Sequence, residues 1–293
     1  MKYFVNFIVK LMVFVSSFFP RRWLRKSGTW LGCLAFDILK FRKKIVLSNL
    51  EIAFPEWSLE KKMAVGRESV FQLGYNFGEF FFIPSITTKW LQDNVVFEGW
   101  ENLIQARQLG KGIFFLSMHL GNVDLAANSI VMNGQELFII SKKFKTKWFN
   151  DLWFSVRGAK GVQYIDAHGS SNAFDILKAL KKNAAVVFVL DQYMGKPFGI
   201  ETSFFGKKTG TAYGLALFVQ KTKSPVLPVY AYEGEDKKMH VVIEPALDMS
   251  KGVTEDKEQT LLNLTQSFND KIEEIVRKHP EQWMWIHRRW KEF

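Results

Sequence analysis

The sequence predicts an α/β fold: a mainly parallel (mixed) central sheet covered by helices on both faces, preceded by an N-terminal hydrophobic anchor helix. Three observations predict it. Short, almost wholly apolar runs recur between Val95 and Glu244 without the polar alternation of a half-exposed sheet. Helix-patterned stretches separate these runs, the order expected of parallel strands joined by crossover helices. The stretch from Tyr3 to Pro20 is nearly all apolar and ends in a basic cluster.

Composition narrows the setting. A chain of 293 residues can bury a large core. Its 40 Lys+Arg against 29 Asp+Glu give a net charge of +11 and point to anionic partners, whether nucleic acid, acidic lipid or acidic protein. Aromatic residues make up 15% of the chain, with 28 Phe and 10 Trp, which favours a membrane interface among those three. One cysteine, Cys33, excludes an internal disulfide and a cysteine-rich metal site and fits a reducing compartment. No metal is expected.

The elements follow in chain order. "YFVNFIVKLMVFVSSFFP" runs into "RRWLRK", and Phe18, Phe19 and Pro20 stand where a leader peptide would carry small residues for cleavage. A retained anchor is therefore expected. Its length is marginal against the ~20 residues that cross a bilayer, and Asn6 and Lys10 raise the cost, so it either spans or lies flat in the interface. In both geometries Arg21, Arg22, Arg25 and Lys26 hold the body on the cytoplasmic side of the membrane. "TWLGCLAFDILKF" then places Trp30, Leu31, Leu34, Ile38 and Leu39 at helical spacing, an amphipathic helix with Asp37 and Lys40 off the apolar face. Residues 1–41 are thus read as anchor plus amphipathic helix, and residues 42–293 as one α/β domain without repeat or linker.

Within that domain, strands are expected from Val95, Gly112, Leu137, Val162, Ala184, Pro225 and His240. Helices are expected over Trp100 to Leu109, Asn122 to Met132, Lys145 to Arg157, Ser171 to Lys182, Thr211 to Lys221 and Thr254 to Lys278.

Chemistry concentrates in "SMHLGNVDLA". His119 ends a strand, Asn122 is placed to cap the next helix, and Asp124 falls in its first turn. Five residues apart on a regular helix the two side chains would face different ways, but across a strand-to-helix junction the carboxylate can reach back to the imidazole. Asp124 would then fix the tautomer, leaving the other ring nitrogen to take a proton from a hydroxyl. With no serine beside them, the nucleophile would be the substrate's own oxygen, and the helix N-terminus would face a developing oxyanion. The alternative is a histidine packed near an aspartate with no chemical role. The chain lacks G-x-S-x-G, Walker-type, G-x-G-x-x-G and H-E-x-x-H patterns, which removes hydrolase, P-loop and zincin readings.

"HLGNVD", together with "RKKIVLSNLEIAFPEWS", "FEGWENLIQARQLGKGIFFLSMHLGN", "SFFGKKTGTAYGLALFVQ", "SPVLPVY" and "HPEQWMWIHRRWK", resembles the lysophospholipid acyltransferase superfamily and, within it, the lipid A biosynthesis (lauroyl/myristoyl) acyltransferases. The likeness runs over nearly the whole chain. It implies transfer of a fatty acyl chain from an acidic acyl carrier protein, or coenzyme A, to a glycolipid hydroxyl at an anionic membrane, by a monomeric enzyme without a resident cofactor. His119 takes the base role and Asp124 the orienting one. Arg157 resembles the arginine of the family's second block, a holder of an acceptor phosphate. Gly206, Lys207, Lys208 and Thr211 resemble a third, anion-cradling block, with a surface turn as the alternative. Asp191 and Gln192 sit at a strand's carboxyl end, where ligands gather. Lipid A enzymes often carry glutamate at the acidic position, whereas Asp124 is the form common in glycerolipid members, so a lysophospholipid or phosphatidylinositol mannoside acceptor stays open. The basic stretches "SKKFKTKW" and "HRRWKEF" are expected to meet a carrier protein or lipid phosphates. A nucleic-acid-binding protein would share the charge but not the anchor, and a non-catalytic scaffold would share the anchor without needing "HLGNVD".

Overall fold

The computed structural model describes residues 21–293 together with Phe7, Leu11 and Phe14. The expected anchor, Tyr3 to Pro20, thus lies almost wholly outside the described residues, and no described helix is long and apolar enough to cross a membrane.

The described chain begins with α1 (Arg21–Cys33), continued by a π turn over Leu34–Ile38. Then come α2 (Lys43–Ala53), α3 (Leu59–Phe80, capped by Ser58) and α4 (Thr88–Asn94, capped by Thr87). α1 crosses α3 backbone to backbone: a Cβ on Gly28 would stand 2.5 Å from Tyr75 Cα, and one on Gly74 would stand 2.7 Å from the Gly28 carbonyl oxygen. That contact sets the orientation of the amphipathic stretch, on which the sequence made no claim. Its packed side is Gly28, Gly32 and Phe36, whereas Trp30, Leu31, Ile38 and Leu39 face outward. Glycine allows the closer approach, so the helix turns its small side inward.

A seven-stranded sheet follows, built from β1 (Val95–Glu98), β2 (Ile113–Ser117), β3 (Leu137–Ser141), β4 (Gln163–Asp166), β5 (Ala185–Val189), β8 (Val226–Glu233) and β9 (Met239–Ile243). Their order is β1-β9-β8-β2-β5-β3-β4, and only the β8/β9 pair is antiparallel. The connecting helices are α5 (Trp100–Gln108), α6 (Val123–Met132), α7 (Lys147–Arg157), α8 (Asn172–Lys181), α9 (Gly214–Thr222) and α10 (Lys257–Lys278). Successive strand residues point to opposite faces. Phe114, Leu116, Val186 and Phe188 therefore join a core with Leu215 of α9 and Phe268 of α10, while Phe115, Ala185 and Val187 join another with Leu125 and Ile130 of α6. This two-sided burial is why the strands read as continuous apolar runs.

One pair of strands was not expected. β6 (Gly199–Phe204) and β7 (Lys207–Ala212) form an antiparallel hairpin, and the helix expected from Thr211 begins only at Gly214. Its inward positions Thr202, Thr209 and Thr211 are fully or almost fully buried among hydrogen bonds to Asn269 and Arg289, not apolar side chains. Apolar periodicity carries no signal for such a strand.

Candidate active site

β2 and β5 are parallel neighbours with Ser117 opposite Val189. The chain leaves both strands at the same end of the sheet, so His119 and Asp191, each two residues further on, emerge side by side. His119 Nδ1 donates to Asp191 Oδ1 at 2.8 Å. Asp191 Oδ2 accepts from the His119 backbone N–H and from Trp283 Nε1, each at 2.8 Å. These donors keep the buried carboxylate ionised. Burial pushes its proton affinity up, but the His119 ring and its hydrogen bonds, with Trp283, pull it below the usual carboxylate value. Burial likewise works against charge on His119, and Asp191 overcomes it, with a smaller contribution from Asp124, holding the imidazole above its ordinary value. The carboxylate at Nδ1 fixes the tautomer and leaves Nε2 with a free lone pair.

The loop after β2 is held from three sides. Gly121 has φ +60, and a Cβ there would stand 2.2 Å from the Ala231 carbonyl oxygen of β8, which only glycine tolerates. From α3, Asn76 Nδ2 donates to the Gly121 carbonyl at 2.9 Å. From the C-terminal segment, the Met284 N–H donates to the His119 carbonyl, and the Gly121 N–H donates to that of Gln282. Asn122 caps α6 as expected, its Oδ1 accepting from the Leu125 N–H, while its Nδ2 donates to the buried Glu79 of α3 at 3.0 Å.

Asp124 does not pair with the imidazole, which corrects the expected dyad. Its Oδ1 accepts from Arg157 Nε at 2.6 Å, and Arg157 Nη1 donates to Ser141 Oγ at 3.2 Å. α7 ends over the first turn of α6 and brings a guanidinium to that carboxylate, whereas strand register delivers a different carboxylate to the histidine. Burial works against the Arg157 charge, and Asp124 more than restores it, raising the guanidinium above its ordinary value. Arg157 is thus already paired where it was expected to offer itself to a phosphate.

His119 and Asp124 line two cavities together. One, of about 270 Å³, opens among Leu73, Phe77 and Phe80 of α3, Trp153 of α7 and Met284. The other is a narrow apolar slot of about 60 Å³ between α6 and the sheet, walled by Phe115, Ala126, Ala127, Ile130, Ile139 and Val187.

The third block is elsewhere. Gly206 turns the β6–β7 hairpin with open space around it, Lys207 and Lys208 are exposed in β7, and Lys208 pairs with Glu201 at 2.7 Å. Thr211 is buried against Arg289 and Asn269. These residues form a hairpin, not an anion-binding helix start, and none lines the cavities at His119. Gln192 offers its backbone carbonyl to Arg289 Nη1 at 3.5 Å. The tail "HRRWKEF" is only partly surface, because Arg289 is fully buried and donates to the Gly210 carbonyl and to Thr211 Oγ1. Sequence reasoning gave Trp283, Gln282, Met284, Asn76 and Glu79 no place in the site. Among the described residues no cluster of metal-ligating side chains occurs.

A family model described as bacterial lipid A biosynthesis acyltransferase matches residues 1–292. A lipid A biosynthesis acyltransferase of Haemophilus influenzae is 26% identical over 289 residues, covering 96% of this chain and 84% of that protein. A lipid A biosynthesis palmitoleoyltransferase of Escherichia coli K12 is 27% identical over 270 residues, covering 90% and 83%. A phosphatidylinositol mannoside acyltransferase of Mycolicibacterium smegmatis is 23% identical over 193 residues, covering 65% and 60%.

Proposed function

The chain belongs to the bacterial lipid A biosynthesis acyltransferase family, and from that premise we propose that it moves a fatty acyl chain from the thioester of an acyl carrier protein, or of coenzyme A, to a hydroxyl of a lipid A precursor. His119 Nε2 takes the proton of the acceptor hydroxyl as its oxygen attacks the thioester carbonyl carbon. The tetrahedral intermediate collapses, the C–S bond breaks, and the imidazolium returns the proton to the departing thiolate. Asp191, not Asp124, is the carboxylate that orients the ring and stabilises its cationic form. Asp124 adds a second negative charge nearby, itself fixed by Arg157.

The remaining parts follow from placement. Asn122 engages the Leu125 and Ala126 N–H groups, so those of Val123 and Asp124 at the open end of α6 are left for the oxyanion. The slot between α6 and the sheet receives the acyl chain, and the larger cavity beside Trp153 receives the acceptor. At about 60 Å³ the slot has room for only a few waters and must widen to admit a hydrocarbon chain. The enzyme works at the cytoplasmic face of the inner membrane, where a lipid acceptor and a soluble acidic carrier meet.

The observation that carries this reading is the His119–Asp191 pair opening onto two apolar-walled cavities. His119→Ala is expected to abolish acyl transfer by the purified, folded protein, and mass spectrometry of lipids from cells lacking the chain is expected to show one missing acyl group. Retained transfer in the variant would remove the mechanism. The Mycolicibacterium smegmatis relative and the aspartate at position 124 favour a second reading, a glycerol-based lysophospholipid or phosphatidylinositol mannoside acceptor. Offering the purified protein both acceptor classes separates the two.

A further inference from the structure

The turn between β3 and α7, with the first residues of that helix, has a composition that the proposed reaction does not use. Lys142, Lys143, Phe144, Lys145, Thr146, Lys147 and Trp148 are all exposed, with basic and aromatic side chains interleaved. Two of the lysines lean on acids, Lys143 on Asp166 at 3.2 Å and Lys147 on Asp151 at 3.5 Å. Lys142 and Lys145 have no acidic partner among the described residues. The exposed rings belong to a continuous stack: Trp148 on Phe149, Phe149 and Phe144 on Trp153, and Trp153 on Phe80 of α3 at 4.4 Å. Trp153 and Phe80 are wall residues of the larger cavity. The stack therefore runs from open surface to the mouth of the site.

We propose that this turn is a membrane-docking element, separate from the chain's N-terminal segment, which seats Phe144 and Trp148 in the headgroup region of an anionic bilayer with Lys142 and Lys145 against lipid phosphates. An acidic protein would complement the lysines alone. Exposed rings alternating with lysines match a surface that is anionic outside and apolar a few ångströms below. α3 carries both this stack, through Phe80, and the outward-facing apolar side of α1, through the Gly28–Tyr75 crossing. One helix thus couples two lipid-seeking surfaces to the loop that its Asn76 and Glu79 hold in place. Docked in this way, the cavity beside Trp153 opens toward the bilayer, and a lipid acceptor reaches His119 without leaving the interface. The inference deepens the proposed reading of a membrane-lipid acceptor, but its primary test does not depend on catalysis.

Because the anchor expected at the N-terminus would hold the protein on vesicles by itself, the test needs a local probe. The full chain with Cys33→Ser and Thr146→Cys is labelled at position 146 with an environment-sensitive fluorophore. It is then mixed with phosphatidylethanolamine vesicles with or without phosphatidylglycerol. The expected result is a blue shift and quenching by spin-labelled lipid on the anionic vesicles, with the affinity falling about tenfold or more when Lys142 and Lys145 are both changed to Glu. In the same chain without the label, Phe144→Ser with Trp148→Ser is expected to lower transfer to a vesicle-embedded acceptor about tenfold while transfer to a detergent-dispersed acceptor is kept. A probe that stays in water while the protein sits on vesicles overturns the proposal, as does a probe that responds to acyl carrier protein instead. Normal insertion without transfer in either format would instead overturn the catalytic reading and leave the docking surface standing.

Discussion

Replacing Asp191 by Asn keeps the size of the side chain and removes its charge. The carboxylate is 2% exposed and accepts three hydrogen bonds at 2.8 Å, from His119 Nδ1, the His119 N–H and Trp283 Nε1. The amide oxygen of asparagine can keep the last two donors, which already share one oxygen. Its NH₂ then faces Nδ1, and the ring satisfies that donor only by moving its own proton to Nε2, where a base is needed. Loss of a hydrogen bond to a charged group, about 1.5–3 kcal/mol, accounts for roughly 10-fold to 150-fold in rate. The misplaced proton takes the total toward about 10⁴-fold, the scale of the corresponding change in a serine-protease triad. The pH dependence has a definite sign. His119 must be neutral to act, and Asp191 holds it above 6.5, so the wild-type rate climbs as pH rises through a value above 6.5. Without the Asp191 charge, burial and Arg157 pull the ring downward against Asp124 alone, and the rising limb moves to lower pH. Single-turnover transfer from a defined acyl thioester, measured from acid to alkaline pH, reads both effects. A rate within threefold of wild type with an unmoved limb would refute the assignment of Asp191, the more so if Asp124→Asn proved the inactive variant.

Three further substitutions test other parts of the arrangement. Gly121→Ala places a Cβ 2.2 Å from the Ala231 carbonyl oxygen at φ +60, and is expected to cost about 1–3 kcal/mol of stability and far more in activity than that loss of folded protein explains; urea midpoints beside transfer rates check it. Ala127→Leu narrows the apolar slot, and is expected to shift acyl preference toward shorter chains for about 1–3 kcal/mol of overpacking, read by competition between thioesters of different length. Arg289→Leu removes the guanidinium donors from the Gly210 carbonyl, Thr211 Oγ1 and Asn269 Oδ1 in a buried network, and is expected to lower unfolding free energy by about 1–3 kcal/mol, measured by denaturant titration. Burial pushes the Arg289 guanidinium down to about 10, so it stays charged at neutral pH and its loss is felt throughout that range.

Strands were legible in the sequence because burial on both faces leaves an unbroken apolar signature. β2 and β5, with residues such as Phe114, Phe115, Val186 and Val187 pointing alternately into two cores, are the clearest instances. α3 left no such mark. Its inward positions include Gly66, Ser69, Glu79 and the aliphatic stem of Lys62 beside Tyr75 and Val70, a mixture that defeats apolar periodicity. His119 was legible as a strand-end histidine, and Asn122 as a cap, because both follow from local chain direction. The partner of His119 was not, because Asp124 is near in sequence while Asp191 is near only through the pairing register of two strands. Arg157 was legible as a charged residue ending a helix, but what it faces depends on how α7 lies across α6.

That contrast says where the specificity of this site resides. The "HLGNVD" stretch supplies the imidazole and the helix start, yet neither the tautomer of that ring nor the path of the loop is set by the motif. The tautomer is set by Asp191, whose own second oxygen is held by Trp283 from the C-terminal segment. The path is set by Asn76 from α3, by Gln282 and Met284, and by the backbone of β8 against Gly121. Every one of these partners is distant in sequence, so the geometry exists only when helices before the sheet, the sheet itself and the C-terminal segment have all come together. A short motif can then sit in many chains while its geometry is set by a register and a few anchoring bonds, and the proposed reaction would lean on Trp283 and Asn76, which carry no reactive group, through the Asp191 carboxylate and the loop they hold.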